Sequence, residues 1–322
     1  MRAALSSVPG KQQQDSEFLR DVLEGLGGKR KTLPCKYLYD ELGSRLFEEI
    51  CAAKDYYLTR TETNLLSDNL GKIAREIGPE ALLIEPGAGN CEKIEALIAA
   101  LDTPRGYYPM DISPEILRAA EARIKRHLPG IRVWSEVGDF TQPAVWDNLS
   151  NIPSRKRVVF FPGSTIGNFG PQKSAQLLEL FAANLGAGDG LLICTDLVKD
   201  SVVLERAYHD SAHVTERFNK NLLCRINREL DADFDLSLFA HRAFYHPLRQ
   251  RVEMHLVSLQ RHDVSIAGIK VEFAEGETIH TESCHKYTIS GFNALLCKGG
   301  FKPIRHWKDA SESYAIHYAQ AI

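Results

Sequence analysis

Hydrophobic residues change their spacing twice along this chain, and each change predicts a different kind of structure. Between residues 15 and 28, apolar side chains recur every three or four positions and a glycine pair follows, which predicts an amphipathic helix that ends there. From residue 81 onward, short apolar runs alternate with amphipathic segments such as CEKIEALIAAL and SPEILRAAEARIKRH. Strands that alternate with helices predict right-handed βαβ units, so we expect an α/β fold with a mostly parallel, Rossmann-like sheet.

This alternation stops after residue 196. Residues 201–230 predict one long helix, because apolar side chains recur at four-residue spacing from Val214 to Leu230. The strand-like segments RVEMHLVSLQ, IKVEFAEGE and TESCHKY follow it. The tail then returns to a helix and two strands. We therefore predict a sheet domain formed by residues 61–197 and 287–322, and an inserted second domain of the α+β type formed by residues 12–60 and 198–286.

Charge and composition narrow the class of protein. A net charge of −3 argues against a nucleic-acid partner, which usually demands a basic face. Seven cysteines without a CxxC pair do not predict a disulfide framework. The first residues lack the apolar core of a signal peptide, and no apolar run approaches the ~20 residues of a membrane helix. We expect a cytoplasmic protein with neither a membrane nor a nucleic acid as its partner.

Glycines and acidic residues follow the predicted strands, where doubly wound sheets bind ligands. Gly87-Ala88-Gly89 follows the first strand, but the third glycine of a dinucleotide fingerprint is missing, and Glu92 would repel a pyrophosphate there. Asp111 ends the second strand, roughly 20 residues beyond that turn, where an acidic residue grips ribose hydroxyls. Asp139 and Phe140 end the third strand and suit an adenine. A ribose carboxylate without a phosphate-binding helix favours S-adenosyl-L-methionine (SAM) over NAD.

Several longer motifs resemble those of one known family. They are LPCKYLYDELGSRLFEEI, DYYLTRTE, FFPGSTIGNF, TDLVKD, FNKNLLCRINREL, ADFDL, EMHLVSL and GETIHTE. From about residue 30 to the end, the chain resembles the histidine-specific Nα-methyltransferases of ergothioneine biosynthesis. The resemblance implies a SAM-dependent methyltransferase sheet with a second, family-specific domain. It also implies methylation of the α-amino group of L-histidine, the small-molecule partner, through to the trimethylated betaine (hercynine). We further expect the protein to be a monomer.

The same resemblance implies a set of site residues. Cofactor contacts fall on Gly87, Lys93, Asp111, Asp139 and Phe140. Substrate contacts fall on Tyr56, Asn168, Tyr208 and the segment Glu282, Ser283 and Cys284. Within that set, Asn168 and Tyr208 hold the carboxylate of the amino acid, and the Glu282 segment reads its imidazole. Tyr39 lies near the amine and is the residue to which we give the catalytic role.

The heptapeptide TESCHKY concentrates polar chemistry in residues 281–287. On a strand, Glu282, Cys284 and Lys286 share one face, and Ser283 and His285 take the other. Cys284 and His285 therefore point apart and cannot form a thiolate–imidazole pair. Glu282 and Cys284 offer too few ligands for a metal, and they combine a hard carboxylate oxygen with a soft sulfur. The segment is best interpreted as a pocket wall, in which Cys284 stands where the family usually has serine.

Alternatives remain open on these residues. The same methylation could act on another amine such as an indole amino acid, although a buried Glu282 without a ring N–H partner argues against it. A catalytically silent SAM-binding regulator is a second alternative, and a nucleic-acid methyltransferase is disfavoured because an NPPY-type motif is absent. His209 and His213, four residues apart, could hold a metal, but a solvated helix face suits them better and no metal is expected.

Overall fold

The computed structural model describes residues 11–89 and 91–322, which fall into two compact units. Unit 1 contains the described part of Met1–Thr59 together with Lys199–His285, and unit 2 contains Arg60–Val198 and Lys286–Ile322. The chain therefore passes from one unit to the other three times. No helix within the described ranges has both the length and the apolar character that crossing a membrane requires.

Helices and strands occur throughout both units. The α-helices are α1 (Lys11–Gly27), α2 (Glu41–Ala52), α3 (Tyr57–Ile77), α4 (Glu92–Ala100), α5 (Pro114–His127), α6 (Pro171–Ala183), α7 (Ser201–Tyr208), α8 (Val214–Leu230) and α9 (Ile289–Lys298). The strands are β1 (Lys31–Thr32), β2 (Ala81–Pro86), β3 (Gly106–Asp111), β4 (Glu136–Val137), β5 (Lys156–Phe161), β6 (Gly190–Asp196), β7 (Phe239–His246), β8 (Arg251–Ser258), β9 (His262–Ile266), β10 (Ile269–Phe273), β11 (Thr278–His285), β12 (Phe301–Lys308) and β13 (Tyr314–Ala321).

A seven-stranded sheet forms the centre of unit 2. Its order is β12-β13-β6-β5-β2-β3-β4, with β2 to β6 parallel and β13 and β12 antiparallel at one end. All six residues of β2 are buried, as expected for a strand covered by helices on both faces. The strand order reverses between β2 and β5, and in such sheets ligands bind beyond the carboxyl ends of the strands at this point. The α/β prediction is confirmed.

Unit 1 mixes helices with a smaller, mainly antiparallel sheet. Its order is β1-β11-β8-β7, in which only the short β1 runs parallel to its neighbour, and β9 and β10 form a separate hairpin. Helix α8 buries a stripe that includes Phe218 and Leu222, and it contacts β7, β8 and β9. This stripe supplies much of the core of the unit.

The single long helix predicted for residues 201–230 is wrong, because the chain breaks it between α7 and α8. The carboxylate of Asp210 accepts hydrogen bonds from the backbone N–H groups of Val214 (2.9 Å) and Thr215 (2.8 Å). This side chain thereby caps α8, as aspartate does at many helix starts. His213 takes a left-handed backbone conformation at the junction. His209 and His213 consequently do not lie on one helix face, which removes the spacing that suggested a metal pair.

Candidate active site

The glycine turn after β2 lies beside two of the side chains expected to bind the cofactor. Gly87 has φ +75°, and a Cβ at this position would contact the ring of Phe140 at 3.6 Å. Asp111, at the end of β3, accepts the backbone N–H of Ser113 (2.9 Å) and that of Gly89. The structure thus places Gly87, Asp111 and Phe140 around one turn. An acceptor carboxylate, a half-buried ring and an open glycine backbone fit a ribosyl-adenine group.

Lys93 follows this turn on α4 and pairs with a buried carboxylate, Glu62 of α3. Glu62 is 1% exposed and also accepts hydrogen bonds from the Gly163 N–H (2.6 Å) and the Tyr314 hydroxyl (2.9 Å). Burial tends to raise the pKa of Glu62, but Lys93 and the other donors outweigh it and hold the pKa below its usual value. Glu62 is the last residue of DYYLTRTE, and its role was not predicted from the sequence.

The segment GSTIGN continues from Gly163 to Asn168 beyond the end of β5. Ser164 has φ +54°, a strained conformation for a residue with a side chain, and its hydroxyl accepts the backbone N–H of Asp196 (2.9 Å). Asn168 ends the short 3₁₀ turn Thr165–Asn168 and is partly exposed. Asp139 lies after β4 and accepts the N–H and hydroxyl of Thr141 (2.9 and 2.7 Å).

A second buried carboxyl group, Glu85, lies in β2 directly before the glycine turn. Burial raises its pKa to about 8, although the hydrogen bond from the Tyr107 hydroxyl (2.5 Å) acts in the opposite direction. The Cys91 thiol contacts the same hydroxyl at 3.3 Å, and burial raises the pKa of this thiol to about 12. Cys91 is therefore a packed thiol rather than a reactive one, and Glu85 is protonated at neutral pH.

Tyr39, the expected catalytic residue, lies in unit 1 near two of the residues expected to bind the substrate, Glu282 and Cys284. Burial raises the pKa of Tyr39 well above its usual value, and the nearby charge of Glu282 raises it further, with Cys284 also close enough to contribute. The Tyr39 ring packs edge-on against Phe47 (5.5 Å between centroids) and Phe218 (5.4 Å). Neither phenylalanine was singled out from the sequence.

A β-bulge in β11 sets the direction of these side chains. The register with β8 shifts between His280 and Glu282, so that Thr281 is the extra residue. Glu282 and Cys284 are buried on the face that carries Thr281. Ser283 points to the other face, where its hydroxyl contacts His280 Nε2 at 2.9 Å. The structure therefore does not bring the Ser283 side chain together with Glu282 and Cys284.

Tyr56 and Tyr208 also lie side by side in unit 1, with ring centroids 6.2 Å apart. Asp55 anchors the segment that carries Tyr56, because its carboxylate accepts the N–H and hydroxyl of Ser211 (3.0 and 2.7 Å) and pairs with Arg206 (2.8 Å). These hydrogen bonds from Ser211 lower the pKa of Asp55 to about 2. The DYY motif is thus joined to the junction between α7 and α8.

Tyr39 owes its position to a tight turn into α2. Asp40 caps the helix by accepting the Gly43 N–H (2.8 Å), and it also accepts from Asn221 (2.7 Å) and Arg228 (2.7 Å) of α8. A Cβ at Gly43 would lie 1.8 Å from the carbonyl oxygen of Leu38. The sequence YDELG therefore encodes a turn that only glycine permits.

One group among the described residues has the spacing of a metal site. Ligand atoms of Glu253, His255 and His280 lie within 4.8 Å of one another. However, Arg251 binds Glu253 through two nitrogens (2.6 and 2.8 Å), and Glu253 also contacts His255 (3.0 Å). Burial lowers the pKa of His280 to about 4, and the hydrogen bonds of Arg251 and His255 outweigh burial to lower that of Glu253 to about 2. A cation would have to displace a guanidinium, so the group is better described as an ion-pair cluster.

The last charged residue of the heptapeptide TESCHKY belongs to unit 2. Lys286 pairs with Asp196 at 2.8 Å, and both side chains are fully buried. Asp196 ends β6, and its carbonyl accepts the N–H of Tyr287 (3.0 Å). Lys286 therefore ties the chain to the end of the seven-stranded sheet.

Known proteins resemble this chain over almost its full length. A family described as "Histidine-specific methyltransferase, SAM-dependent" matches residues 18–321. Histidine N-alpha-methyltransferase of Mycolicibacterium smegmatis is 39% identical, covering 93% of this chain and 94% of its own length. The protein of the same name from Mycobacterium tuberculosis is 36% identical and covers 99% of both. Ergothioneine biosynthesis protein 1 of Neurospora crassa is 27% identical and covers 89% of this chain, which spans 33% of that protein.

Proposed function

Because this chain belongs to the SAM-dependent, histidine-specific methyltransferases, we propose that it methylates the α-amino group of L-histidine three times to give the betaine hercynine. The observation that carries this proposal is the grouping of Tyr39 with Glu282 and Cys284 in unit 1. It supplies a hydroxyl for an amine beside a carboxylate for an imidazole N–H. The two relatives from Mycolicibacterium smegmatis and Mycobacterium tuberculosis carry histidine in their names, which supports the same substrate here.

The residues of unit 2 fit the cofactor that the family uses. Asp111 would accept the ribose hydroxyls, and Asp139 and Phe140 would contact the adenine. Lys93 is held in place by its ion pair with Glu62. SAM supplies a methyl group already activated on a sulfonium, so the protein has to supply neither a nucleophile nor a metal. The task that remains for the chain is to present an unprotonated amine in line with that methyl group.

Tyr39 would hold the amine without acting as an anionic base. Since burial and Glu282 raise its pKa, the phenol stays protonated at neutral pH. Its oxygen can still accept a hydrogen bond from the amine and so direct the nitrogen lone pair. The ammonium of a free amino acid titrates somewhat above pH 8, so its proton is lost to solvent at modest cost.

The imidazole would be read by Glu282, whose carboxylate accepts a ring N–H in a charge-assisted hydrogen bond. Cys284 lies on the same buried face and can contact the edge of the ring. The carboxylate-binding role that the resemblance implies for Asn168 and Tyr208 stays a prediction, as does the contact of Tyr56 with the substrate.

Trimethylation produces a quaternary ammonium group, whose nitrogen no longer carries a hydrogen and cannot donate a hydrogen bond. Tyr39, Phe47 and Phe218 present three rings with centroids 5.4 to 6.1 Å apart. Aromatic rings of this kind favour quaternary ammonium groups through cation–π attraction. The ring of Tyr39, which contacts the other two, would therefore favour the trimethylated amine. The monomeric state and cytoplasmic location expected from the sequence are part of the same proposal.

The test is incubation of the protein with SAM and single amino acids, followed by mass spectrometry of the products. Histidine should gain three methyl groups, while tryptophan and tyrosine should gain none at equal concentration. Preferred methylation of an indole amino acid would replace histidine as the substrate. SAM binding without methylation of any amino acid would support a regulator instead.

A further inference from the structure

A buried polar network crosses unit 1 behind the residues proposed to bind histidine. Its members are Tyr208 at the end of α7, His241 in β7, Asn219 in α8 and Thr281 in β11. All four are at most 8% exposed. No role was predicted from the sequence for His241, Asn219 or Thr281, and the proposed reaction uses only Tyr208.

The hydrogen bonds of this network fix the orientation of each group. His241 Nε2 lies 2.9 Å from the carbonyl oxygen of Tyr208, which can only accept, so Nε2 carries the ring hydrogen. Nδ1 is then left to accept from the Asn219 amide nitrogen at 3.0 Å. The pKa of His241 is lowered, chiefly by burial, which agrees with a neutral ring.

The amide of Asn219 has a partner for each of its polar atoms. Its nitrogen donates to His241 and to the carbonyl oxygen of His255 (3.2 Å), and its oxygen accepts from the Thr281 hydroxyl at 2.6 Å. A reversed amide would place its oxygen against the His255 carbonyl. The network therefore has one arrangement, and a buried network satisfied in this way is rigid.

The two ends of the network are the two segments that carry proposed substrate contacts. At one end, His241 holds the last carbonyl of α7, next to the ring of Tyr208. At the other end, Thr281 is the bulge residue that directly precedes Glu282. A single chain of hydrogen bonds thus spans from the α7 terminus to the bulge.

We propose that Asn219 and His241 are positioning residues that hold Tyr208 and Glu282 at the spacing that L-histidine requires. This inference rests on the proposed function. Loss of the network should shift the two contacts independently of each other, and a misplacement of even 1 Å weakens a positioned site strongly. SAM binding should not change, because none of the four residues belongs to unit 2.

Asn219→Leu removes the amide at similar volume, and Thr281→Val removes only the hydroxyl. Each should raise the KM for histidine by roughly 10-fold or more, with the KM for SAM within about 2-fold of wild type. Thr281→Ser restores the hydroxyl and should return the histidine KM toward the wild-type value. Should Asn219→Leu fail to fold, the Thr281→Val and Thr281→Ser pair decides the question alone.

Asn227→Leu is the matched control. Asn227 lies two turns further along α8, and its amide binds the backbone of Phe234 at 2.8 Å in both directions without touching a proposed substrate residue. This variant should lose thermal stability without a change in the histidine KM. Equal KM values for Asn219→Leu, Thr281→Val, Asn227→Leu and wild type would overturn the inference. If wild type prefers another amino acid, the proposed function fails, and the same variants measured with that amino acid still test the network.

Discussion

Three buried carboxyl groups of this protein differ in charge because their immediate neighbours differ. Glu62 is surrounded by donors that include Lys93, and these keep it ionised. Glu253 is ionised as well, since Arg251 binds it through two nitrogens. Glu85 has one hydroxyl donor, and burial raises its pKa to about 8. The number and charge of the donors around each carboxyl group, rather than how deeply the group is buried, thus decide whether it is ionised.

The proposed role of Glu282 can be tested by measuring histidine turnover in variants of this residue and its neighbours. We expect Glu282→Ala to reduce histidine turnover by more than ~10-fold, because a charge-assisted hydrogen bond is worth roughly 1.5–3 kcal/mol. Cys284→Ser should preserve histidine use or improve it slightly, since a better hydrogen-bonding group stands at nearly equal size. Ser283→Ala is the control, because that side chain points to the opposite face. Steady-state kinetics that leave Glu282→Ala at wild-type values would contradict the assignment.

At Glu85 the test is the pH dependence of stability. The group titrates near 4.5 when unfolded and at about 8 when folded, so the folded state binds an extra proton between these values. Its contribution is complete below pH 4.5 and is lost as the pH rises to about 8, by up to roughly 1.4 kcal/mol per pH unit. Glu85→Gln, which does not titrate, should therefore gain stability relative to wild type by about 2 kcal/mol between pH 6 and pH 8. Denaturant unfolding at both pH values measures this difference, and a constant difference would show that Glu85 is ionised in the folded protein.

At the scale of elements, single residues at turns and bulges decide where a helix or strand points. Asp210 starts α8, Asp40 starts α2, and the extra residue Thr281 turns Glu282 toward the helix side of its sheet. Each of these devices depends on one or two hydrogen bonds. A single substitution at such a position should therefore change the direction of a whole helix or strand.

Gly43 allows the sharpest test of this kind. We expect Gly43→Ala to destabilise the protein by more than ~2 kcal/mol, because its Cβ would overlap the carbonyl of Leu38 and force the backbone to move. Tyr39 lies on this turn, so the KM for histidine should also rise. Gly71→Ala in α3 has no atom closer than 4.0 Å to the new Cβ and should instead gain about 0.5–1 kcal/mol. Thermal unfolding of the two variants makes the comparison, and similar melting temperatures would contradict the close approach.

The elements that could be predicted from the sequence are those with a regular hydrophobic period. The strands of the parallel sheet and the helices between them follow from such patterns, and they place Gly87, Asp111 and Phe140 around one turn. The alternation rule also separated Glu282 from Ser283 correctly, because both lie on the same side of the bulge. What the sequence did not reveal depends on side-chain partners: the cap by Asp210 that divides residues 201–230, and the strands β7 and β9.

The missed site residues share a physical reason. Glu62, Asn219 and His241 are polar residues whose partners lie far away in the sequence, such as Gly163 for Glu62 and Thr281 for Asn219. No local spacing encodes such a pairing. Phe47 and Phe218 fit the apolar stripes of their own helices, so packing explained them before their place beside Tyr39 was known.

For the whole molecule, the residues proposed to bind the cofactor belong to unit 2, and the residues proposed to bind histidine, other than Asn168, belong to unit 1. Binding of SAM therefore tests the residues of unit 2, and binding of histidine tests mainly those of unit 1. A ligand that binds only the folded state stabilises it by about 2.7 kcal/mol at 100 times its Kd. Thermal shifts with SAM and with histidine can consequently be measured separately.

We expect SAM to raise the melting temperature of the wild type and to leave that of Asp111→Ala nearly unchanged at the same concentration. The cause is the loss of the acceptor for the ribose hydroxyls at the end of β3. Without ligand the two proteins should melt at similar temperatures, because Asp111 is partly exposed and, among the described residues, accepts hydrogen bonds from nearby backbone N–H groups. Glu115→Ala, an exposed change on α5, serves as the control. Calorimetry that finds wild-type SAM affinity in a folded Asp111→Ala protein would exclude this cofactor contact.

The short strand β1 has a consequence for how the protein is made. Lys31 and Thr32 pair with Ile279 and His280, and Leu33 donates its N–H to the carbonyl oxygen of His280 (2.9 Å). During synthesis, β1 therefore cannot form its pairing until residues roughly 250 positions later have been made. At a ribosome speed of about 5–20 residues per second, that delay lasts tens of seconds. For most of it, until α8 has been made, the apolar face of α1 lacks the helix that contacts it. Synthesis of the residues between β1 and β11 is therefore the period in which the nascent chain is most open to chaperones and to aggregation.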